Sequence, residues 1–163
     1  MTVEAEIIGL VHKEAQLLDD WRLDEWLEMY DDEARYWIPI DEHADPERTS
    51  SIIHETKPVL RLRVEQLMRE NRLAQSPRSQ MMRLIGNIVV TPEEGGLAAA
   101  RYNLMMMELR SGDWRQQGLG EKRFFAGRCE IRAARKDGAW RILNKTITLL
   151  DRKQPVYGMS FIL

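Results

Sequence analysis

Three histidines, a single cysteine and a scatter of carboxylates are the side chains from which this 163-residue chain would have to build a redox or proton-transfer centre. A Rieske cluster takes two thiolates and two imidazoles, so one cysteine, Cys129, excludes it. A mononuclear non-haem iron site takes two histidines and a carboxylate. His12 falls in the first helical stretch while His43 and His54 flank a polar segment, without the local spacing of such a triad. Gly-rich phosphate loops, Cys-x-x-Cys pairs and a strand-to-helix nucleophilic serine are all missing. The pair His54-Glu55 is left: it could act as a base in an enclosed pocket with Tyr36 or Asp32 orienting a substrate. Its plainer role is to cap and tether a loop-to-helix junction. Cys129 lies on the apolar side of an alternating stretch and reads as core filler.

The elements that would carry these groups follow from hydrophobic period. Residues 123–135 alternate, with Phe125, Gly127, Cys129, Ile131 and Ala133 on one side and Arg128, Glu130 and Arg132 on the other, as a strand with one buried face does. Asp137-Gly138 suits a type I′ turn, and Trp140–Leu150 runs back, so the stretch from Leu119 to Asp151 predicts a long antiparallel hairpin. A two-residue turn sets Glu130 opposite Lys145; a bulge at Gly138 would shift that register by one. Upstream, Ile7, Val11, Ala15 and Leu18 form the stripe of a helix over residues 3–19, with Glu4, Lys13, Glu14 and Asp20 on the solvent side. Leu23, Trp26, Leu27 and Tyr30 give a second short helix, and Asp31–Glu33 end it.

Ala34–Ile40 reads as a strand whose Pro39 places that end at an edge. Asp41–Ser51 is a loop. A third helix over residues 57–72, with Thr56 as cap, buries Leu60, Val64, Leu67 and Met68. Its other face carries Arg61, Arg63, Arg69 and Arg72, a solvated surface or a polar protein interface. Gln75–Ser79 turns the chain into a second hairpin, Gln80–Thr91 and Leu97–Arg110 around a Pro92–Gly96 loop. Met81-Met82 and Met105-Met106-Met107 read as gap fillers in the sheet. The apolar end, Tyr157–Leu163, must pack on this sheet or on another subunit. Helices first and strands after mean α+β: a curved antiparallel sheet closed by three N-terminal helices.

Length and 44% hydrophobic content fit one domain over residues 1–163 with a sizeable core. A net charge of −2 argues against nucleic acid, and no apolar run is long enough for a membrane span or a secretory signal, so a cytoplasmic protein is expected.

In order along the chain, Glu14–Asp19, Trp26-Leu27, Tyr36–Pro39, Leu60–Val64, Ser76–Ser79 with Arg83–Asn87, Ala139–Ile142 and Leu149–Asp151 form a set. Together these segments resemble the small, or beta, subunit of aromatic-ring-hydroxylating dioxygenases, over nearly the whole chain. The resemblance implies the cone-like fold shared with nuclear transport factor, ketosteroid isomerase and scytalone dehydratase, a cystatin-like roll. It implies a separate large (alpha) subunit that holds the Rieske cluster and mononuclear iron and, with electrons from NAD(P)H through reductase components, adds dioxygen to an aromatic ring. The small subunit would form a trimeric base in a three-plus-three hexamer, and would contribute no catalytic, cofactor-binding or metal residue. Ile53–Thr56 stands where many members are more acidic or carry a tyrosine, which leaves the substrate class open. The competing reading is a stand-alone isomerase, dehydratase or cyclase working inside the cone. An enzyme's cone should hold convergent polar groups in an open pocket, and a scaffold's should be filled.

Overall fold

The computed structural model describes residues 2–68, 75, 77–110, 122–156 and 159–163. Arg69, Arg72, Ser76, the start of the long hairpin at residues 119–121 and Tyr157-Gly158 lie outside them. Helix α1 (Val3–Asp19) is capped by the Thr2 hydroxyl, which accepts from the Ala5 N–H. Trp21 turns the chain in a left-handed conformation (φ 57°), and its indole N–H donates to the Ser79 carbonyl at 3.1 Å, which anchors an otherwise unfavourable backbone. Helix α2 (Leu23–Glu28) follows, then β1 (Tyr30–Pro39), β2 (Ser51–Thr56), α3 (Lys57–Met68), β3 (Gln80–Glu93), β4 (Leu97–Leu109), β5 (Lys122–Lys136) and β6 (Ala139–Leu149).

The six strands form one sheet in the order β2-β1-β6-β5-β4-β3. It departs from the expected all-antiparallel sheet, because β1 runs parallel to β6. Two further boundaries differ from the sequence reading. Tyr30 opens β1 instead of closing α2, so Asp31–Glu33 are strand residues. Ser51, read as the end of the Asp41–Ser51 loop, and Thr56, read as a helix cap, bound an edge strand, Ser51–Thr56, that pairs with β1. Six residues with one buried isoleucine, Ile53, and one half-buried, Ile52, are too few to show a period.

Asp137 and Gly138 both have positive φ (50° and 80°), and Lys136 pairs with Ala139, as a type I′ turn requires. The bulge sits not at Gly138 but at Leu143: Arg132 pairs with Asn144 and Ala133 with Ile142. Lys145 therefore opposes Ile131, not Glu130, and turns to the inner face. Glu130 opposes Thr146 and pairs with Arg101 on the outside. A second bulge, with Asn87 at φ 53°, bends β3 between Gly86 and Val89. Asparagine accepts that conformation at small cost.

The helices cover the concave side of the sheet. Ile7, Val11, Leu18, Trp26, Leu60 and Val64 meet Ile38, Ala100, Met106, Ile131, Ile142 and Ile147 in a single core. Cys129 lies in it as expected, and burial pushes its thiol up to about 12, so it is no nucleophile near neutral pH. The methionine expectation needs correction. Met106 alone of the five is fully buried, while Met82 and Met105 stand on the outer face.

At Gly127 the β6 backbone comes so close that a Cβ would lie 2.8 Å from the Thr148 carbonyl oxygen and 3.3 Å from Leu149 Cα. Backbone on both strands must move to admit it. Gly127→Ala should destabilise by about 1–3 kcal/mol, whereas Gly86→Ala, with open space around its Cβ, should stay within about 0.5 kcal/mol. Denaturant unfolding of the two variants checks this.

Candidate functional site

The cone interior is closed from within by side chains. Trp26, Tyr30 and Tyr36 form a cluster with ring centroids 4.7 to 6.5 Å apart, all essentially inaccessible. Beneath them Glu14 Oε1 lies 2.6 Å from Lys145 Nζ and also accepts from the Tyr30 hydroxyl (2.7 Å) and the Trp26 indole N–H (3.1 Å). Glu14 and Lys145 are each about 2% exposed. Sequence reasoning placed Glu14 on the solvent side. A signal was present, since residue 14 continues the i, i+3, i+4, i+7 series of Ile7, Leu10 and Val11, and its partner faces inward only because of the Leu143 bulge. Burial holds the Tyr30 and Tyr36 hydroxyls well above the usual phenol range, so both stay protonated donors.

The top of the interior is filled by the chain's own last residues. Phe161, Ile162 and Leu163 are buried, with the Phe161 ring edge-on to Phe125 at 5.4 Å. The apolar end thus packs on this sheet, the first of the two expected fates. Around it lies a second polar network, in which the fully buried Glu108 receives the Ser79 hydroxyl at 2.6 Å and the Arg123 guanidinium.

The sequence-derived catalytic candidates are not brought together. His54 pairs across the ladder with Trp37, and Glu55 with Tyr36, so His54 and Tyr36 project from opposite faces of the sheet. His54 Nε2 is 3.8 Å from a Glu47 carboxylate oxygen. Glu55 receives the Arg63 guanidinium as a fork, which makes that part of the α3 arginine face an internal tie. The Tyr36 hydroxyl donates to the Leu163 main-chain oxygen at 2.5 Å, and Asp32 is exposed beside Lys57 at 2.8 Å. His12 and His43 are exposed and far from a shared centre along the chain. Among the described residues no group of three or more His, Cys, Asp or Glu side chains could hold a metal ion, and no helix is long and apolar enough to cross a membrane.

A charged groove of about 670 Å³ runs along the rim between α2, the start of α3 and the β5–β6 turn, lined by Asp31, Asp32, Lys57, Arg61 and Lys136 among others. The Lys136 ammonium donates to Asp31 at 2.5 Å and holds its carboxyl below the usual range. A carboxyl with a lowered folded-state pKa stabilises above its unfolded value, near 3.9, and loses that contribution as pH falls through the folded value. The melting temperature of Asp31→Asn should therefore fall less steeply than that of the unmodified chain below about pH 4, and match its slope above pH 5.

The outer sheet face is ordered in rows. Met82, Met107 and Phe124 lie side by side on β3, β4 and β5, and Leu84, Met105 and Ala126 form the next row. Phe124 is 61% exposed and Leu84 56%. Leu150, following β6, extends the patch beside Ala126, whose carbonyl accepts its N–H. Further along, Asn103, Arg128 and Thr148 begin a polar half. Large apolar side chains thus crowd one half of a solvent-facing sheet, an arrangement that marks a protein-binding surface.

The family model for the ring hydroxylating beta subunit matches residues 13–154. The chain belongs to that beta-subunit family. It is 31% identical to the small oxygenase component of the p-cumate 2,3-dioxygenase system of Pseudomonas putida, over 98% of this chain and 86% of that protein. The crystal structure of the beta subunit of benzoate 1,2-dioxygenase from Burkholderia mallei superposes with a TM-score of 0.73 at 21% identity, covering 97% of this chain and 96% of that one. An NTF2-like protein with a cystatin-like fold from Novosphingobium aromaticivorans superposes at 0.62 with 16% identity, over 90% and 81% of the two chains. The cone-like α+β roll is therefore the fold of this ring-hydroxylating dioxygenase beta subunit. Its filled cone does not favour the stand-alone isomerase, dehydratase or cyclase.

Proposed function

We propose that this beta subunit contributes no catalytic residue and acts as the structural base of a cytoplasmic dioxygenase whose large subunit carries the Rieske cluster and mononuclear iron and attacks an aromatic substrate. The observation that carries the reading is where apolar surface lies. The cone interior, where an enzyme of this fold would need room, is filled by Tyr36, Phe125, Phe161 and Leu163. The outer sheet face leaves Met82, Leu84, Met105, Phe124 and Leu150 uncovered. Covering that face with neighbouring subunits removes a patch unfavourable in water. Self-association as a trimer, three copies beneath three large subunits, supplies such neighbours with closed symmetry.

The test is co-expression with the large subunit of the same organism and native mass measurement of what co-purifies. A three-plus-three assembly is expected. Recovery of a free monomer without affinity for that partner contradicts the proposal.

A further inference from the structure

The residues that end the chain are held in an unusual way. Among the described residues, three side chains from separate elements donate to the segment 159–163. Gln75 Nε2 donates to Ser160 Oγ at 2.9 Å, Arg83 Nη2 to the Ile162 carbonyl at 2.5 Å and the Tyr36 hydroxyl to the Leu163 oxygen at 2.5 Å. Core strands are held by ladder bonds between backbones; ligands are held by side chains converging from several elements. Here the donors come from β1, β3 and the turn before β3. The Phe161 ring lies edge-on to Phe125, and the Arg123 guanidinium stands 5.4 and 5.8 Å from the two ring centroids.

A second observation points the same way. The Arg83 side chain is 2% exposed, its Nη1 is 2.5 Å from Asp19 Oδ1, and yet its Nε is buried with no partner among the described residues. A buried guanidinium N–H without an acceptor costs free energy that a second acceptor would recover. Arg83 therefore has donor capacity to spare beside the oxygen it already binds, and a carboxylate, with two oxygens, can use a guanidinium fork more fully than one amide carbonyl does.

We propose that the cone is a ligand-binding site occupied in cis: Phe161–Leu163 fills it as a ligand would, and displacing this segment admits a small aromatic carboxylate. The ring takes the slot beside Phe125, and Tyr36 and Arg83 receive the carboxylate. Binding is non-covalent and involves no chemistry on the ligand. The site is independent of the outer-face reading above, since it lies on the other side of the sheet.

The experiment uses the full chain carrying Phe161→Ala, which empties the ring slot, with 3-phenylpropionate as probe and toluene as the ring without the carboxylate. At one hundred times its Kd the carboxylate should raise the melting temperature of this variant by about 5–10 °C. It should bind at least about tenfold more tightly than toluene, and lose that advantage when Tyr36→Phe is added. The unmodified chain, whose own segment competes, should bind the probe at least about tenfold more weakly. Amide exchange of residues 162 and 163 should speed up about tenfold or more on binding. Equal or tighter binding of toluene reduces the site to an ordinary core cavity and overturns the proposal. Should Phe161→Ala not fold alone, Phe161→Val, which still vacates the ring slot beside Phe125 but keeps part of the buried side chain, carries the same comparison, and failure of the probe to bind or to refold either variant also overturns it.

Discussion

Replacing Lys145 with alanine should destabilise the chain by about 3–5 kcal/mol, the largest single effect expected anywhere in the fold. Glu14 would be left buried without its cationic partner, with only the Tyr30 hydroxyl and Trp26 N–H as donors. The penalty for burying a carboxyl group without its ion-pair partner, not the loss of one contact, sets the size of the effect. Glu14→Ala should cost a similar amount by stranding the ammonium near the Tyr36 ring, which it faces at 5.7 Å. The double replacement Glu14→Leu with Lys145→Met removes both charges and should recover most of the loss, to within about 1–2 kcal/mol of the unmodified chain. Denaturant unfolding of the four proteins forms a double-mutant cycle, and additive single effects would show that the two residues do not depend on each other. The pair also pins register. It exists only because Leu143 is bulged out, so a slip of β6 by one residue would put Lys145 outside and leave Glu14 alone inside.

Charge placed on the outer apolar rows should abolish assembly without unfolding the subunit. Phe124→Glu and Leu84→Glu each substitute an exposed side chain, so the isolated chain should lose little stability. In an assembled enzyme the same carboxylate would be buried against a neighbour without a partner. The expected loss is at least about a hundredfold in subunit affinity, ~3 kcal/mol per contact. Sedimentation of the variants with the large subunit reads this directly. A matched change in the polar half, Thr148→Glu, should weaken assembly less than tenfold. Equal effects from both halves would show that apolarity does not select the docking face.

Much of the architecture was legible because it rests on local rules. The alternation of Phe125, Gly127, Cys129, Ile131 and Ala133, the Asp137-Gly138 turn, the stripe of α1 and the burial of the apolar end all survive in three dimensions. Other features depend on contacts that no local window contains. The bulge at Leu143 has no turn dipeptide to announce it, and it exists to bring Lys145 under Glu14, 131 residues away. Edge strand β2 is too short and too evenly half-buried to show a period, and it takes its conformation from β1. The methionines divide between core and outer face because this half of the sheet carries large apolar side chains on both of its faces. Composition alone reads such a strand as core. His54 and Glu55, adjacent in sequence, were the natural catalytic pair to suspect, yet adjacency in a strand places them on opposite faces. The same alternation that made β5 readable is what separates them.

In the proposed role, redox iron belongs to the partner and this chain serves by supporting it. Assembling the complex in cells supplied with radioactive iron, separating the two subunits under mild denaturation and counting each fraction tests it most directly. Iron is expected only with the large subunit. Stoichiometric iron retained by this chain, coordinated by His12, His43 or His54, would contradict it.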